Sequence, residues 1–323
     1  MTHKEYLKQI EKTLKQIKQL PIEQLDTNTK ILKLAFDIAY KNRLFALYGF
    51  ETKEQHQLKL QLFEKLTPIS GSLSFLAIQI LAANAIMNKN DFKRKKHYFH
   101  KKCGIAINHL RAPETLVEAT KCRGGYRLNG TLTWASGYNI FERLLIGFHF
   151  NGQEYEVMSK FKPQKGFILS EAPQTFVGFG LNTVNIQLKE YFVKEKNIVS
   201  SNPIGNYTKN KSVSKTIHYS LYGLGCGVIK HIDNTTLKSF AHQHLKEYKQ
   251  QFITSNSGEE LDVLRVELFH FLQKIITTAM IQNGGKSILI TQHLQQYYRE
   301  LIMFNCNGLN QTIKDIFLHK LLD

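Results

Sequence analysis

The stretch 124-GGYRLNGTLTWASG-137 decides how the rest of the chain is read. Tyr126 and Leu128 alternate with Arg127, Leu132 and Trp134 alternate with Thr131 and Thr133, and Asn129-Gly130 lies between the two runs. A period of two marks a half-buried strand, and Asn-Gly tolerates the two positive φ angles of a tight hairpin. The segment is expected to turn at Asn129-Gly130 and to carry Trp134 on the same face as Leu132. Trp134 is the only tryptophan in 323 residues. With the small residues Ala135 and Ser136 directly behind it, its indole is suited to form a flat wall.

Outward from this point the period-two pattern persists. Asn151-Gly152 predicts a second hairpin, and strands are expected at Gly166–Ser170, Thr183–Leu188 and Tyr191–Val193. Residues 103–201 are thus read as a central antiparallel β barrel or sandwich. The flanks follow a helical period instead. Leu7, Ile10, Leu14 and Ile17 share one face, Pro21 interrupts, and Leu32 to Ala39 and Gln55 to Leu66 resume it. "GSLSFLAIQILAANAIM" is apolar nearly all round, as a helix buried on most sides would be. After the polar, turn-rich run Ser200–Lys215, helices are expected at Leu221–Ile232, Thr236–Phe252, Leu261–Ile281 and Gln292–Leu322. The division expected is an N-terminal helical domain (1–102), a β domain (103–201) and a C-terminal helical bundle (202–323), an α+β multidomain chain.

Composition narrows the class. With 42% hydrophobic and 11% aromatic residues the chain is globular rather than disordered. Its net charge of +17 attracts polyanions or phosphorylated small molecules without choosing among them. "KNDFKRKKHYFHKK" holds seven Lys and Arg between Lys89 and Lys102, interleaved with Phe92, Tyr98 and Phe99. It reads as a solvated basic connection between helices and strands rather than a nucleic-acid site. Cys103, Cys122, Cys226 and Cys306 form no CxxC pair, and His97-x-x-His100 and His242-x-His244 lack nearby cysteine or carboxylate partners, so no metal is expected. The N-terminus lacks the apolar core of a signal peptide, and the run Phe75–Met87 falls short of the roughly 20 residues of a membrane span. A cytoplasmic protein is the expectation.

Helices, β domain and helices in these proportions resemble the acyl-CoA dehydrogenase family of FAD flavoproteins. Three segments carry the resemblance. In the first, Gly124, Tyr126, Leu128, Asn129, Gly130, Trp134 and Ser136 match the family's G-x-Y-x-L/I-N-G-x-K-x-W-I-T/S-N-G hairpin. In the second, "QTFVGFGLNTVNIQLKEYFVKEKNIV" is similar to the strand pair that closes the family's β domain. In the third, Gln282, Gly284, Gly285 and Arg299-Glu300 echo Q-x-x-G-G-x-G followed by Arg-Asp, fourteen positions separating Gly285 from Arg299. The resemblance implies a flavin wall at Trp134, Ala135 and Ser136, and contact of Gln282, Gly284 and Gly285 with the ADP half of FAD in a neighbouring subunit. It therefore implies a homodimer or homotetramer acting on an acyl-CoA-like molecule. Donors fixed at the flavin's polar edge suit the negative charge of its reduced form.

The pattern breaks where the chemistry is most demanding. Removal of an α-proton needs a base. The family's glutamate stands nine positions after the Arg, which here is Gly308, or on the first helix after the β domain, where Ile217 and His218 lie. His218 is a base candidate, with a packing role as its rival. The family's T-E-P-x-A-G-S-D loop is replaced by "GIAINHLRAPETLVEAT", which offers Asn108, His109 and Arg111, and only Phe240 remains of the pyrophosphate-binding Arg-x-x-Phe-Gly run. Three readings stay open: a dehydrogenase-type flavoenzyme, a flavin monooxygenase relative, and a non-catalytic binding or assembly protein. The second is weakened because no histidine follows Arg299 until His319.

Overall fold

Asn129-Gly130 is not a turn. In the computed structural model, which describes residues 1–111, 114–209 and 214–322, both residues lie inside one strand, β3 (Gly125–Ala135). β3 pairs with β2 (Val117–Cys122) on one side and β7 (Val184–Lys194) on the other, and the β2–β3 turn falls at Arg123-Gly124. Opposite the pair it is β7 that bulges, Lys189 and Glu190 facing the single Asn129 between Leu128 and Gly130. Gly130 has φ +139°, and a Cβ there would lie 2.1 Å from the Leu116 carbonyl oxygen. The Asn129 amide fills the gap by donating to Glu190 Oε1 and accepting from Glu190 N. Glu190, at φ 51°, bends β7, which joins into one strand the two segments expected separately. The expected hairpin turn is thus continuous strand, in which only Gly130 of the pair takes a positive φ.

The second Asn-Gly behaves as expected. Asn151 and Gly152, at φ 47° and 72°, link β4 (Arg143–Phe150) to β5 (Gln153–Lys160) with Phe150 opposite Gln153. β1 (Cys103–Ala106), β6 (Phe167–Leu169) and β8 (Ile198–Pro203) complete an eight-stranded sheet of order β6-β7-β3-β2-β4-β5-β8, with β1 parallel to β4. The two antiparallel parts meet through a single pair, Glu118 with His149, between β2 and β4.

Helices precede and follow this sheet. The N-terminal set is α1 (His3–Ile17), α2 (Thr29–Lys41), α3 (Thr52–Leu66), α4 (Gly71–Lys89) and α5 (Lys95–Phe99). Thr2, Asn28 and Ser70 accept from the first backbone N–H groups of α1, α2 and α4, replacing the bonds a helix start cannot make internally. α4 is long and apolar enough to cross a membrane, and 72% of its apolar window is buried among the other elements.

After the strands come α6 (Asn206–Lys209), α7 (Thr216–Lys230), α8 (Thr235–Thr254), α9 (Gly258–Asn283), α10 (His293–Asn305) and α11 (Gln311–Leu322). The single last helix expected over Gln292–Leu322 is therefore two. The Arg265 guanidinium donates to the carbonyls of Phe304 and Asn307, Gly308 takes φ 63°, and the Asn310 side chain accepts from Ile313 N to start α11.

One apolar cluster runs from Tyr6 through the sheet to Phe304. One close seam is α3 against α7, where a Cβ on Gly223 would lie 2.1 Å from Phe63 O. Because that neighbour is backbone, Gly223→Ala must push two helices apart. It is expected to lower unfolding free energy by about 1–3 kcal/mol, checked by urea denaturation.

Candidate functional site

Trp134 does not share a face with Leu132. Between Leu132 and Ala135, β3 carries one residue more than β7, and Trp134 occupies that bulge at φ 58°. The extra residue turns the indole outward, so Leu132 and Ala135 are fully buried while Trp134 is 59% exposed. A bulky side chain in the left-handed region is strained, and such strain persists only where neighbours hold it. Here Trp134 N donates to Asn185 Oδ1 at 3.1 Å, and Asn185 is tied by its own N–H to Ser170 Oγ.

Next to this wall, Ser136 Oγ and Thr183 Oγ1 lie 2.8 Å apart. One hydroxyl donates to the other, which leaves one O–H over. Ser136 is 5% exposed and Thr183 is half-buried, so the spare donor faces outward from Thr183 when Ser136 donates to it. Gly137 N and Tyr138 N donate to the carbonyls of Leu181 and Asn182, which brings the loop 176–182 alongside. That loop exposes Phe176 and Phe179, at 61% and 44%.

Beneath the loop is a buried polar clamp that the sequence did not reveal. Asp26, 4% exposed, accepts from Gly178 N (2.7 Å) and Ser72 Oγ (2.9 Å) on Oδ1, and its backbone carbonyl accepts from Gly180 N. Arg299 donates to Phe176 O at 2.8 Å and stands 3.8 Å from Asp26 Oδ2. Both lie between the exposed aromatic loop and the helices. Asp26 and Gly178 are 152 positions apart, so no local pattern in "IEQLDTN" signals the pairing.

Arg299 and Glu300 sit inside α10. Glu300 is fully buried and Oε1 accepts from Gly71 N and Gln296 Nε2, whereas Oε2 has no partner. Burial, and then the nearby Asp26 charge, push its carboxyl up to about 8. The native state thus binds a proton that the unfolded chain releases near the usual carboxylate pKa. This stabilisation is complete below about pH 4.5 and is lost as pH rises through about 8. Melting temperatures of wild type and Glu300→Gln from pH 5 to 8 test it: the wild type is expected to lose ground to the variant as pH rises, and parallel curves would contradict the assignment.

The two expected base positions supply no base. Gly308 is exposed, and a Cβ there would meet nothing within 4 Å. His218 is a core residue: Nε2 lies 2.8 Å from Leu261 O, the ring packs edge-on to Phe252, and Nδ1 is buried without a partner. Burial pushes it down to about 3, which keeps it neutral. His109 is likewise buried, held to Gly147 O at 3.1 Å, while Asn108 is exposed and Arg111 half-buried.

Gln282, Gly284 and Gly285 are exposed where α9 ends, and neither glycine would bring a Cβ within 4 Å of another group. Gly284 has φ 69°, so the glycine also serves the helix stop. Ile281, Ile288, Leu289 and Ile290 are exposed around them. Phe240, 49% exposed, lies against His244 on α8, its ring 4.2 Å away. An open depression of about 560 Å³ lies elsewhere, between Gln251 and Thr254 of α8 and Val263 and Leu264 of α9.

The wall meets what a flavin ring asks of a protein: an accessible flat indole, a spare hydroxyl donor beside it and aromatic edges on a pinned loop. The base positions do not meet what dehydrogenation asks. No protein-family model and no curated protein matches this sequence. Solved structures do. Glutaryl-coenzyme A dehydrogenase, in its glutaryl-CoA complex, superposes with TM-score 0.75 at 14% identity, covering 100% of this chain and 96% of that one. KijD3, in complex with FMN and a dTDP-linked amino-keto sugar, gives 0.76 at 11%, covering 99% and 93%. Butyryl-CoA dehydrogenase from Megasphaera elsdenii gives 0.72 at 10%, covering 100% and 99%.

Proposed function

From the premise that this chain has the acyl-CoA dehydrogenase fold, we propose that it is an FAD-dependent oxidoreductase acting on an acyl thioester or related substrate. The observation that carries the reading is Trp134, held outward in a left-handed bulge with its indole exposed. Structures of the same fold described with an acyl-CoA ligand, or with FMN, support it. A bound flavin supplies a two-electron acceptor that no side chain provides. The chain's own residues do the rest. Trp134 lies against the ring, and the Ser136–Thr183 hydroxyl pair donates to its polar edge. Phe176 and Phe179 keep water from the reacting side. Gln282, Gly284 and Gly285 receive the ADP half from a second copy in a homodimer or homotetramer. With no side chain at Gly308 and with His218 a weak base buried in the core, oxidation of an unactivated acyl thioester is expected to be slow.

The test is an absorption spectrum after incubation with FAD or FMN and gel filtration. Retained bands near about 370 and 450 nm are expected of a protein-bound flavin, and failure to retain either flavin would overturn the reading. Ser136→Ala is expected to weaken flavin retention or shift its reduction potential, and unchanged values would remove the hydroxyl pair from the site. Anaerobic butyryl-CoA then separates two cases. Slow or absent bleaching is expected; rapid bleaching would reveal a base elsewhere. The bare base positions also favour a second reading, a non-catalytic binding or assembly protein built on the same fold, which a folded protein that retains no flavin would support.

A further inference from the structure

The basic segment after α4 is not a loose connector. Phe92 and Tyr98 are buried, Phe99 stacks on Tyr48 with centroids 3.9 Å apart, and Arg94 and Tyr98 both reach Asn197 Oδ1. That contact seats α5 beside the turn between β7 and β8, which carries exposed Lys194 and Lys196. Lys102 leads into β1, whose Cys103 lies in register with Arg143 and, across it, with exposed Lys160. Lys93, Lys96, Lys160, Lys194 and Lys196 are therefore gathered on one fixed surface.

The neighbouring acids are already engaged: Asp91 with Lys95, Asp37 with Lys33 and Lys102, Glu142 with Lys101 and Glu195 with Lys121. Among the described residues the five gathered lysines make no ion pair. The nearest end of β3, Gly125 opposite Lys194, is nine residues from Trp134, roughly 30 Å along a strand. The Lys194–Lys196 turn is thus set apart from the flavin wall, whereas Lys160 adjoins Phe161, whose ring lies 5.5 Å from that of Tyr138.

We infer that this lysine surface is a docking site for the acidic face of another protein. Charge complementarity selects an anion, and the residues select its kind. The two guanidiniums suited to fork-like phosphate contacts are used internally, Arg94 on Asn197 and Arg143 on Glu142 O. The phenyl and phenol rings of the segment are buried or stacked internally, and a five-residue helix packed down through Tyr98 and Phe99 is too short to fill a groove. One large apolar side chain, Phe192, is exposed nearby, too little to anchor in a lipid surface. What remains is a set of mobile ammonium groups, which suits scattered carboxylates and speeds encounter more than it tightens the final complex.

The experiment measures binding of the full chain to a fluorescent 20-residue polyglutamate peptide, a 20-base-pair DNA duplex and phosphatidylserine vesicles at low salt. Two quadruple variants of equal net charge are compared: K93E/K96E/K194E/K196E on the surface, and K4E/K8E/K12E/K15E on α1. Polyglutamate is expected to bind most tightly and to lose about tenfold or more in the surface variant but less than about threefold in the α1 variant, with binding fading as salt rises. Equal losses in the two variants would reduce the effect to net charge and overturn the inference. Tighter, surface-dependent binding of DNA or vesicles would overturn it in favour of that partner. Far-ultraviolet circular dichroism and flavin retention, measured on both variants, separate this result from a folding defect and from the fate of the flavin reading.

Discussion

Asp26→Ala is expected to lower unfolding free energy by about 3–5 kcal/mol, the range seen when one member of a buried charged pair is removed. The substitution leaves Gly178 N and Ser72 Oγ without their acceptor and Arg299 without its carboxylate, all in a place where water does not compensate. Asp26→Asn keeps the shape and one acceptor oxygen, so its cost should be clearly smaller. Because the clamp also holds the loop bearing Phe176 and Phe179, flavin affinity should fall in parallel. Urea titrations and flavin titrations of the three proteins check both parts. An alanine variant that unfolds at the wild-type urea concentration would show that the clamp is not what fixes the loop.

Trp134→Gly is expected to move stability and binding in opposite directions. Glycine adopts φ 58° freely, whereas a side-chain-bearing residue there costs roughly 1–2 kcal/mol, so the variant should be more stable by about that amount. The lost indole face should weaken flavin by about 2 kcal/mol, roughly 30-fold. Trp134→Phe should keep much of the affinity and the strain. A glycine variant that binds flavin as well as wild type would move the wall away from Trp134.

These expectations also show what the sequence made legible. Helices were readable because their apolar stripes are local, as at Leu7, Ile10, Leu14 and Ile17, three of which are buried in α1. Asn151-Gly152 was readable for the same reason. Asn129-Gly130 has the same local preference but a different tertiary setting: with β7 alongside, it runs on as strand opposite a bulge in β7, and Gly130 alone takes a positive φ. That bulge, and the next one at Trp134, reverse which side chains face out, and no period-two count can foresee it. The indole was identified, but its exposure was not. Asp26 escaped entirely, because its carboxylate takes meaning only from Gly178, Ser72 and Arg299. His218 shows the converse: a residue type suited to proton transfer whose surroundings turn it into packing.

The bonds that close the molecule also constrain how it is made. Gly71 N donates to Glu300 and Tyr297 donates to Pro68 O, each across 229 positions. The start of α4 therefore waits for α10, which a ribosome makes more than two hundred residues later. Until then the apolar faces of the first hundred residues have no permanent cover, and contacts so distant in sequence form slowly. Deletion of α10 would leave Gly71 N and the Pro68 carbonyl at the start of α4 without these partners. Nascent chains of this protein are accordingly ones that holding chaperones should meet early and release only once α10 has been made.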